Sequence, residues 1–252
     1  MIFEEYSRYY DSLYKDKDYV GECEYIKSLV EKYNPETKKI LEFGSGTGIH
    51  GNILGELGFL VHGIEKSQKM MELGLSTNST TKSKNFSCSL GDCQSTYISN
   101  DFDTAISLFH VLSYQTKDVE VMAVFENAQK QLKTGGIFIF DYWYAPAVWE
   151  IGPTLRLKKI VNSDLAITRI AEPECFEDKN IVNVHYQTFI ESLSTKSISK
   201  IEEIHEMRAF NNEEIIQFST RAGFSPVHME EWMTSLKPGK NTWGVCSILR
   251  KN

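Results

Sequence analysis

Residues 39–50, KILEFGSGTGIH, place three glycines at alternate positions directly behind a short apolar run. The run at 38–43 is short, rich in large apolar side chains and ends in glycine, which predicts a buried parallel strand. Gly44, Gly46 and Gly48 predict a turn, because residues without a Cβ atom adopt positive φ and let a ligand approach the main chain. The apolar residues that follow have helical spacing, so the stretch predicts a strand, a glycine loop and a helix.

Units of this kind bind nucleotides at the N-terminal end of the helix. A dinucleotide fingerprint G-x-G-x-x-G that starts at Gly44 requires glycine at the position of Ile49. One that starts at Gly46 is satisfied by Gly48 and Gly51, but its first glycine lies far beyond the end of the strand. The loop alone therefore leaves the ligand open.

Composition limits the class of partner. The chain has 252 residues, 41% of them hydrophobic, which is typical of one globular domain with a sizeable core. Its formal net charge is −7 and its lysines and arginines form no run, so the electrostatic pattern of a nucleic-acid-binding protein is missing. We expect a small-molecule partner, no nucleic acid and no membrane.

The cysteines and the first residues indicate the compartment. Five scattered cysteines without C-x-x-C spacing favour reduced thiols over a disulfide framework or a zinc site. The first residues, MIFEEYSRYYDSLY, are acidic and aromatic where a signal peptide is basic and then apolar. These features predict a cytoplasmic protein.

Strand and helix patterns alternate over the first part of the chain, which predicts a doubly wound α/β sheet. The helices are predicted at 18–33, 49–57, from Ser67 through Met71 and at 118–132, and the strands at 38–43, 59–65, 85–90, 102–108 and 136–141. A polar loop is predicted at 76–83.

The pattern changes after Pro153. Four extended segments predict an antiparallel β insertion, with Pro173 as one of the separators: 155–160, 165–170, 181–190 and 198–207. A helix then begins at Asn211 or Asn212 and ends at Gly223, and strands at 226–232 and 242–250 complete a mostly parallel sheet of seven strands. We therefore divide the chain into an α/β core with an N-terminal helical lid (1–149), an insertion that forms an acceptor lid (150–208) and a C-terminal helix with a β-hairpin (209–252).

Two carboxylates follow strands at the same edge of the predicted sheet as the glycine loop. Glu65 ends the second strand, where an ionised carboxylate can accept two hydrogen bonds from a ribose. Asp92 ends the third strand, where it can accept from an exocyclic amine. The alternative for Asp92 is that it only caps a turn.

These motifs together resemble those of the class I S-adenosylmethionine-dependent methyltransferases. The resemblance rests on E-x-G-x-G-x-G at 42–48, IEKSQKM at 64–70, GDC at 91–93, FD at 102–103 and LKTGGIFIFD at 132–141. It implies a Rossmann-like methyltransferase fold, S-adenosylmethionine as cofactor with S-adenosylhomocysteine as product, and no metal.

The resemblance also implies roles for individual residues. Glu42 and the glycine loop would hold the methionine end of the cofactor, Glu65 the ribose, and Asp92 the amine edge of the adenine. The implied cofactor-binding residues are Tyr14, Glu42, Gly44, Ser45, Gly46, Glu65, Lys66, Met70, Asp92, Cys93, Leu108 and Phe109. Tyr10 and Tyr14 either close the site from above or form the apolar face of a docking helix.

Three stretches and the insertion indicate a subfamily. YDSLY at 10–14, SLFHVLSY at 107–114 and FDYWYAPAV at 140–148 are similar to small-molecule methyltransferases that include amino-sugar N-methyltransferases acting on nucleotide-linked sugars. An O-methyltransferase of a surface-polysaccharide precursor, a small hydroxy acid or a phosphorylated metabolite is the alternative, and a non-catalytic cofactor-binding protein is another. We expect a monomer or a homodimer.

The acceptor side is predicted from aromatic, basic and histidine residues. Tyr142 and Trp143 follow the fifth strand at the edge where ligands of open α/β sheets bind, and Arg169 and Arg208 suit an anionic acceptor. The candidate general base is His110, which directly follows the fourth strand. The alternatives are that His110 caps the next helix, that His185 or His205 is the base, or that proximity alone drives the transfer.

Overall fold

The structure is a computed structural model of the chain, and it describes residues 7–77 and 83–252. The α-helices are α1 Ser7–Leu13, α2 Tyr19–Tyr33, α3 Ile49–Glu56, α4 Gln68–Thr77, α5 Asp118–Gln131, α6 Ala145–Ile151 and α7 Asn212–Arg221. Short 3₁₀ helices lie at Val111–Tyr114 and Glu177–Lys179. No helix in the described part of the chain is both long and apolar enough to span a membrane.

The strands form one continuous sheet with two parts. They are β1 Lys39–Phe43, β2 Leu60–Glu65, β3 Phe86–Leu90, β4 Phe102–Ser107, β5 Leu132–Tyr144, β6 Arg156–Val161, β7 Leu165–Phe176, β8 Ile181–Ser192, β9 Ile198–Phe210, β10 Phe224–Glu231 and β11 Gly244–Lys251. Strands β3, β2, β1, β4 and β5 run parallel in that order, and β11 and β10 continue the sheet antiparallel. The doubly wound, mostly parallel sheet of seven strands predicted from the sequence is confirmed.

The second part of the sheet, β6–β9, is antiparallel throughout. It joins the first part where Trp143 and Tyr144, the last residues of β5, pair in parallel with Ala209 and Phe210 at the end of β9. Because β5 ends at the edge where the glycine loop begins, this junction carries the antiparallel sheet to the ligand-binding edge of the parallel one.

Alternation along the central strands divides the core into two layers. On β5, Phe138 and Phe140 face the apolar sides of α5 and α7, whereas Ile137 and Ile139 face α2 and α3. Both faces of the parallel sheet are therefore covered by helices, which is why its central strands β1 and β5 are rich in buried apolar residues.

Some predicted boundaries differ from the structure. Pro173, expected to separate two segments, lies within β7 and pairs with Val184. Strand β6 reaches only as far as the pair between Arg156 and Ala171, so β7 has a neighbour on one side only at Pro173, and proline is tolerated on such edge strands. Helix α4 continues to Thr77 into the predicted polar loop, and residues 78–82 of that loop lie outside the described residues.

Candidate active site

A cavity of about 990 Å³ lies between the carboxyl edge of the parallel sheet and one face of β6–β9. It is lined by the following residues that were predicted from the sequence: Tyr14, Gly44, Ser45, Gly46, Glu65, Lys66, Met70, Asp92, Cys93, Leu108, Phe109, His110, Trp143 and Arg169. The structure thus brings most of the predicted site together in one space.

The glycine loop has the conformation that its sequence predicts. Gly44, Gly46 and Gly48 have φ values of 68°, 57° and 75°. A Cβ atom on Gly44 would lie 2.6 Å from the side chain of Val111, whereas one on Gly46 would lie no closer than 3.5 Å from the nearest atom, on Met70. Gly44 is therefore required for packing, while Gly46 presents bare backbone to the cavity.

Glu65 connects the glycine loop to the end of β2. Its carboxylate accepts hydrogen bonds from the backbone N–H of Gly46 at 2.8 Å and of Ser67 at 2.7 Å. Burial raises the pKa of Glu65 even though these N–H groups favour the charged form. A carboxylate has acceptor capacity beyond two hydrogen bonds, so Glu65 can also receive hydroxyl groups of a ligand in the cavity.

Glu42 lies beneath the loop and does not line the cavity. Its side chain is fully buried, and its Oε2 has no hydrogen-bond partner among the described residues. Burial, and to a smaller extent the negative charge of Glu65, raise the pKa of Glu42 to about 8. A buried carboxyl of this kind requires a partner that donates hydrogen bonds or carries positive charge.

Asp92 both caps a turn and lines the cavity, so its role as a cap does not exclude a contact with a ligand. Its carboxylate accepts from the backbone N–H of Gln94 at 2.9 Å and lies 2.7 Å from Nζ of Lys66. Burial opposes its ionisation, but the hydrogen bond from Lys66 helps to outweigh that effect, and the pKa of Asp92 is lowered. Met70, on α4, is buried at the same end of the cavity.

The N-terminal helix α1 covers the cavity and is attached to the glycine loop. Thr47 donates a hydrogen bond to Asp11 at 2.8 Å, and Tyr10 and Tyr14 both line the cavity. The ring of Tyr14 meets that of Phe109 edge to face at 5.2 Å. These contacts favour closure of the site by α1 over the alternative that the tyrosines only dock a helix.

A buried ionic network fixes the segment that joins α1 to α2, and sequence reasoning missed it. Glu22 pairs with Lys17, and Nε2 of His50 lies 2.7 Å from the Glu22 carboxylate. The ammonium of Lys17 also lies 4.3 Å from the ring centre of Tyr19 and 4.5 Å from that of Phe109. The network therefore joins the α1–α2 segment, the first turn of α3 and the residues after β4.

His110 is held next to a buried carboxylate. Nδ1 of His110 lies 2.6 Å from Oδ2 of Asp141, and its backbone N–H donates to the same carboxylate at 3.1 Å and 3.2 Å. Phe109 and His110 have φ values of 65° and 63°, which places two consecutive residues with side chains in the left-handed region. The His110 side chain caps neither the 3₁₀ helix that follows it nor α5, so the capping alternative is not supported.

Asp141 was not predicted as a site residue. It ends the FIFD motif on β5, and only the parallel pairing of β4 with β5 brings it beside His110. The signal in the sequence was an acidic residue at the end of an apolar strand.

The inner face of β6–β9 forms the opposite wall of the cavity. Arg156, Ala171 and Tyr186 occupy neighbouring strands in one cross-strand row and all line the cavity. The guanidinium of Arg169 lies 5.4 Å from the ring centre of Tyr14 and 5.1 Å from that of Tyr186, and it donates to the Tyr14 hydroxyl at 3.0 Å. The wall thus combines aromatic surface with positive charge.

Three residues that were predicted to contact the acceptor molecule lie outside the cavity. In each case the reason is that successive side chains of a strand point to opposite faces of the sheet. Tyr142 is fully buried on the face of β5 opposite to Trp143, and its hydroxyl donates to Asn212 at 2.8 Å. His185 lies between Val184 and Tyr186, which line the cavity, so its own side chain is on the outer face of the sheet near Glu174.

Arg208 is also outside the cavity. It is buried, and its guanidinium pairs with Asp118 at 2.8 Å and Glu214 at 2.9 Å. Its neighbour Met207 lines the cavity, so Arg208 points to the first turns of α5 and α7. We therefore correct its predicted role from acceptor contact to structural ion pair.

Comparisons with known proteins agree with this architecture. Residues 40–136 match the family described as a methyltransferase domain. The chain is 32% identical over 149 residues to an uncharacterised methyltransferase of Bacillus mycoides, covering 57% of the chain and 67% of that protein. It is also 22% identical over 224 residues, 88% of the chain and 90% of the relative, to a dTDP-3-amino-3,4,6-trideoxy-alpha-D-glucopyranose N,N-dimethyltransferase of Streptomyces venezuelae.

Solved structures show the same fold. An S-adenosylmethionine-dependent methyltransferase of Clostridium acetobutylicum superposes with a TM-score of 0.80 at 17% identity, covering 98% of each chain. A sugar N-methyltransferase from a Streptoalloteichus species superposes with a TM-score of 0.81 at 16% identity, covering 99% of this chain and 94% of the other. The chain belongs to the S-adenosylmethionine-dependent methyltransferases, and it is an enzyme of that class.

The geometry described above fits that cofactor. Glu42 does not line the cavity, but it lies beneath the glycine loop with a carboxyl oxygen that has no hydrogen-bond partner among the described residues, and the methionine end of the cofactor carries an ammonium group. Gly46 leaves room for close approach to the backbone, and Glu65 can accept hydroxyl groups.

Proposed function

We propose that the enzyme transfers a methyl group from S-adenosylmethionine to an amine or hydroxyl group of a small sugar-linked or anionic acceptor. The observation that supports this most strongly is the position of His110. It lines the cavity that also contains the glycine loop and Arg169, and its imidazole is paired with the buried Asp141.

The cofactor would bind in the half of the cavity formed by the parallel sheet. Glu42 and the loop at Gly44, Ser45 and Gly46 would hold its methionine end, and Glu65 would hold the ribose. The remaining contacts would come from Lys66, Met70, Asp92, Cys93, Leu108, Phe109 and Tyr14. When bound, S-adenosylmethionine supplies an electrophilic methyl group on a sulfonium.

His110 would remove the proton that the acceptor loses. Its Nδ1 lies 2.6 Å from Oδ2 of Asp141 without the alignment of a hydrogen bond, so the carboxylate would stabilise the imidazolium through its charge, and Nε2 would accept the proton. The two consecutive left-handed residues Phe109 and His110 are consistent with a functional role, because such backbone strain concentrates at active sites. Deprotonation is required for a hydroxyl acceptor and for an amine that arrives as ammonium, so the dyad suits either.

The acceptor would lie against the inner face of β6–β9, which we propose as the acceptor lid. Arg156 and Arg169 can bind phosphate or carboxylate, and Trp143, Tyr186 and Trp243 provide flat surfaces suited to a sugar or a base. The relative from Streptomyces venezuelae is named for a dTDP-linked amino sugar. We infer a nucleotide-linked sugar or a surface-polysaccharide precursor as the acceptor, and the cytoplasm as the compartment where it is methylated.

The test is a panel of nucleotide-linked amino sugars, sugar phosphates and small hydroxy acids, each incubated with the enzyme and S-adenosylmethionine. Mass spectrometry is expected to show the gain of one or more methyl groups on a sugar-linked member. A gain only on hydroxy acids would favour the alternative acceptor class. Binding of S-adenosylmethionine without a mass gain on any member would contradict the proposed acceptor classes.

A further inference from the structure

A second polar group lies on the acceptor side of the cavity, separate from His110 and Asp141. The hydroxyl of Tyr114, at the end of the 3₁₀ helix Val111–Tyr114, is 2.8 Å from Nδ1 of His205 on β9. Nε2 of His205 is 3.1 Å from the carboxylate of Glu203. Tyr114 and His205 both line the cavity, and the His205 side chain is nearly fully buried.

The direction of the hydrogen bonds that join Tyr114, His205 and Glu203 follows from the carboxylate of Glu203. With Glu203 ionised, as a carboxylate ordinarily is near pH 7, it can only accept, and we assign the hydrogen of this contact to Nε2 of His205. In a neutral imidazole the other nitrogen then has a lone pair, and Nδ1 accepts the hydrogen of the Tyr114 hydroxyl. A phenol oxygen whose hydrogen is donated in this way offers acceptor capacity to a ligand.

The surroundings of His205 keep this arrangement fixed. The ring of Tyr186 meets the His205 ring edge to face at 4.7 Å. The guanidinium of Arg169 lies 5.1 Å from the centre of the same Tyr186 ring. Glu203 and Tyr186 are paired across β8 and β9, so the carboxylate is held by the register of the sheet. Three side chains held in this way can discriminate between ligands, because a ligand group that cannot donate a hydrogen bond leaves the Tyr114 oxygen unsatisfied.

We propose that Tyr114 is a specificity-determining residue, which His205 and Glu203 hold as a hydrogen-bond acceptor for an O–H or N–H group of the acceptor molecule. This inference rests on the proposed function, because it assumes that the acceptor lies against β6–β9. Tyr114 would select acceptors with a donor group at that point and orient them toward His110. His205 and Glu203 would act through Tyr114 as positioning residues.

The first test compares Tyr114→Phe, His205→Gln and the double variant. The substrate is dTDP-3-amino-3,4,6-trideoxy-α-D-glucopyranose, the compound for which the Streptomyces relative is named, or the panel member with the largest mass gain if this one is not methylated. Each single variant is expected to raise the acceptor KM about three- to tenfold, as for the loss of one hydrogen bond. Affinity for S-adenosylmethionine should not change.

The double variant distinguishes positioning from a merely structural role. If His205 acts through Tyr114, His205→Gln adds no further increase in KM once Tyr114 is phenylalanine. The matched control is Tyr97→Phe, because Tyr97 is exposed and does not line the cavity. An unchanged KM in Tyr114→Phe, or fully additive effects, would overturn the inference while leaving the methyltransferase function intact. No mass gain on any member of the panel would instead refute the proposed function, and the inference with it.

The second test needs no acceptor. The ¹⁵N chemical shifts of His205, assigned by their loss in His205→Gln, report which ring nitrogen carries hydrogen. The inference predicts hydrogen on Nε2 and a lone pair on Nδ1. Hydrogen on Nδ1 would make Tyr114 a donor toward the cavity and would overturn the inference.

Discussion

The two halves of the cavity are built in different ways. The half formed by the parallel sheet uses residues that are close in sequence, such as Gly44 and Gly46, and its key contacts are made by backbone N–H groups. The half formed by β6–β9 uses single side chains from separate strands, such as Arg156, Arg169 and Tyr186, which only strand register brings together. The first half is therefore encoded by short sequence motifs, and the second by which face of its strand each residue occupies.

The halves also differ in charge. Two buried acids, Glu42 and Glu65, lie at the glycine loop, and the pKa of each is raised by burial. Two arginines, Arg156 and Arg169, line the cavity from the antiparallel sheet, together with one acid, Glu206. His110 lies in the same cavity. Substitutions at the acids, at His110 and at the arginines should therefore affect cofactor binding, the chemical step and acceptor binding, respectively.

The largest expected effect is on the chemical step between the two halves. His110→Ala should lower kcat by about 10²–10⁴, the usual contribution of a general base, without changing the affinity for S-adenosylmethionine. The control is His62→Ala, because His62 bonds to Ser87 and Ser89 away from this cavity. A loss below tenfold would indicate that proximity alone drives the transfer.

The next effect concerns the buried acid of the first half. The pKa of Glu42 is about 8 in the folded state, above its ordinary value of 4.5. Folding therefore disfavours the charged form, and the free energy of unfolding falls as the pH rises from 4.5 to about 8. Without ligand, Glu42→Gln should therefore be more stable than wild type by roughly 1–3 kcal/mol at pH 7 and by much less at pH 5.

Denaturant unfolding at several pH values measures this difference. The matched control is Glu56→Gln, since Glu56 is exposed on α3 and does not line the cavity. A stability difference between wild type and Glu42→Gln that does not change with pH would contradict the assigned pKa.

The smallest expected effects are those of substitutions at Arg169 and Arg208, two arginines of β7 and β9. Arg169→Met should raise the acceptor KM about tenfold, because it removes a charge-assisted hydrogen bond to an anionic group. Arg208→Met should leave KM unchanged and lower the free energy of unfolding by about 1–2 kcal/mol, since it breaks the pairs with Asp118 and Glu214. Equal KM values for both variants would refute the anionic acceptor.

Most residues predicted for the first half line the cavity, because their signals in the sequence are local. Glycines, strand ends and the acids Glu65 and Asp92 occur in short motifs, and the parallel topology places all of them at one edge. The second half depends on which face of a strand each residue occupies, and a shift of one residue reverses that face. Trp143 and Tyr142 show this, because the first lines the cavity and the second is in the core.

Other contacts could not be predicted because they join distant parts of the chain. Asp141 meets His110 only through the pairing of β4 with β5. His205 meets Tyr114 only because β9 returns to the end of β5. No local pattern in the sequence encodes either contact.

Binding of the cofactor at the glycine loop is the property on which the proposed function depends most directly. Calorimetry with S-adenosylhomocysteine, which cannot turn over, should show binding to wild type and equal binding to the exposed-residue control Glu56→Ala. Glu65→Ala should bind about ten- to a hundredfold more weakly, from the loss of hydrogen bonds of roughly 1.5–3 kcal/mol to the ribose. Tight binding of NAD with no binding of S-adenosylhomocysteine, or equal affinity in Glu65→Ala and wild type, would contradict the account.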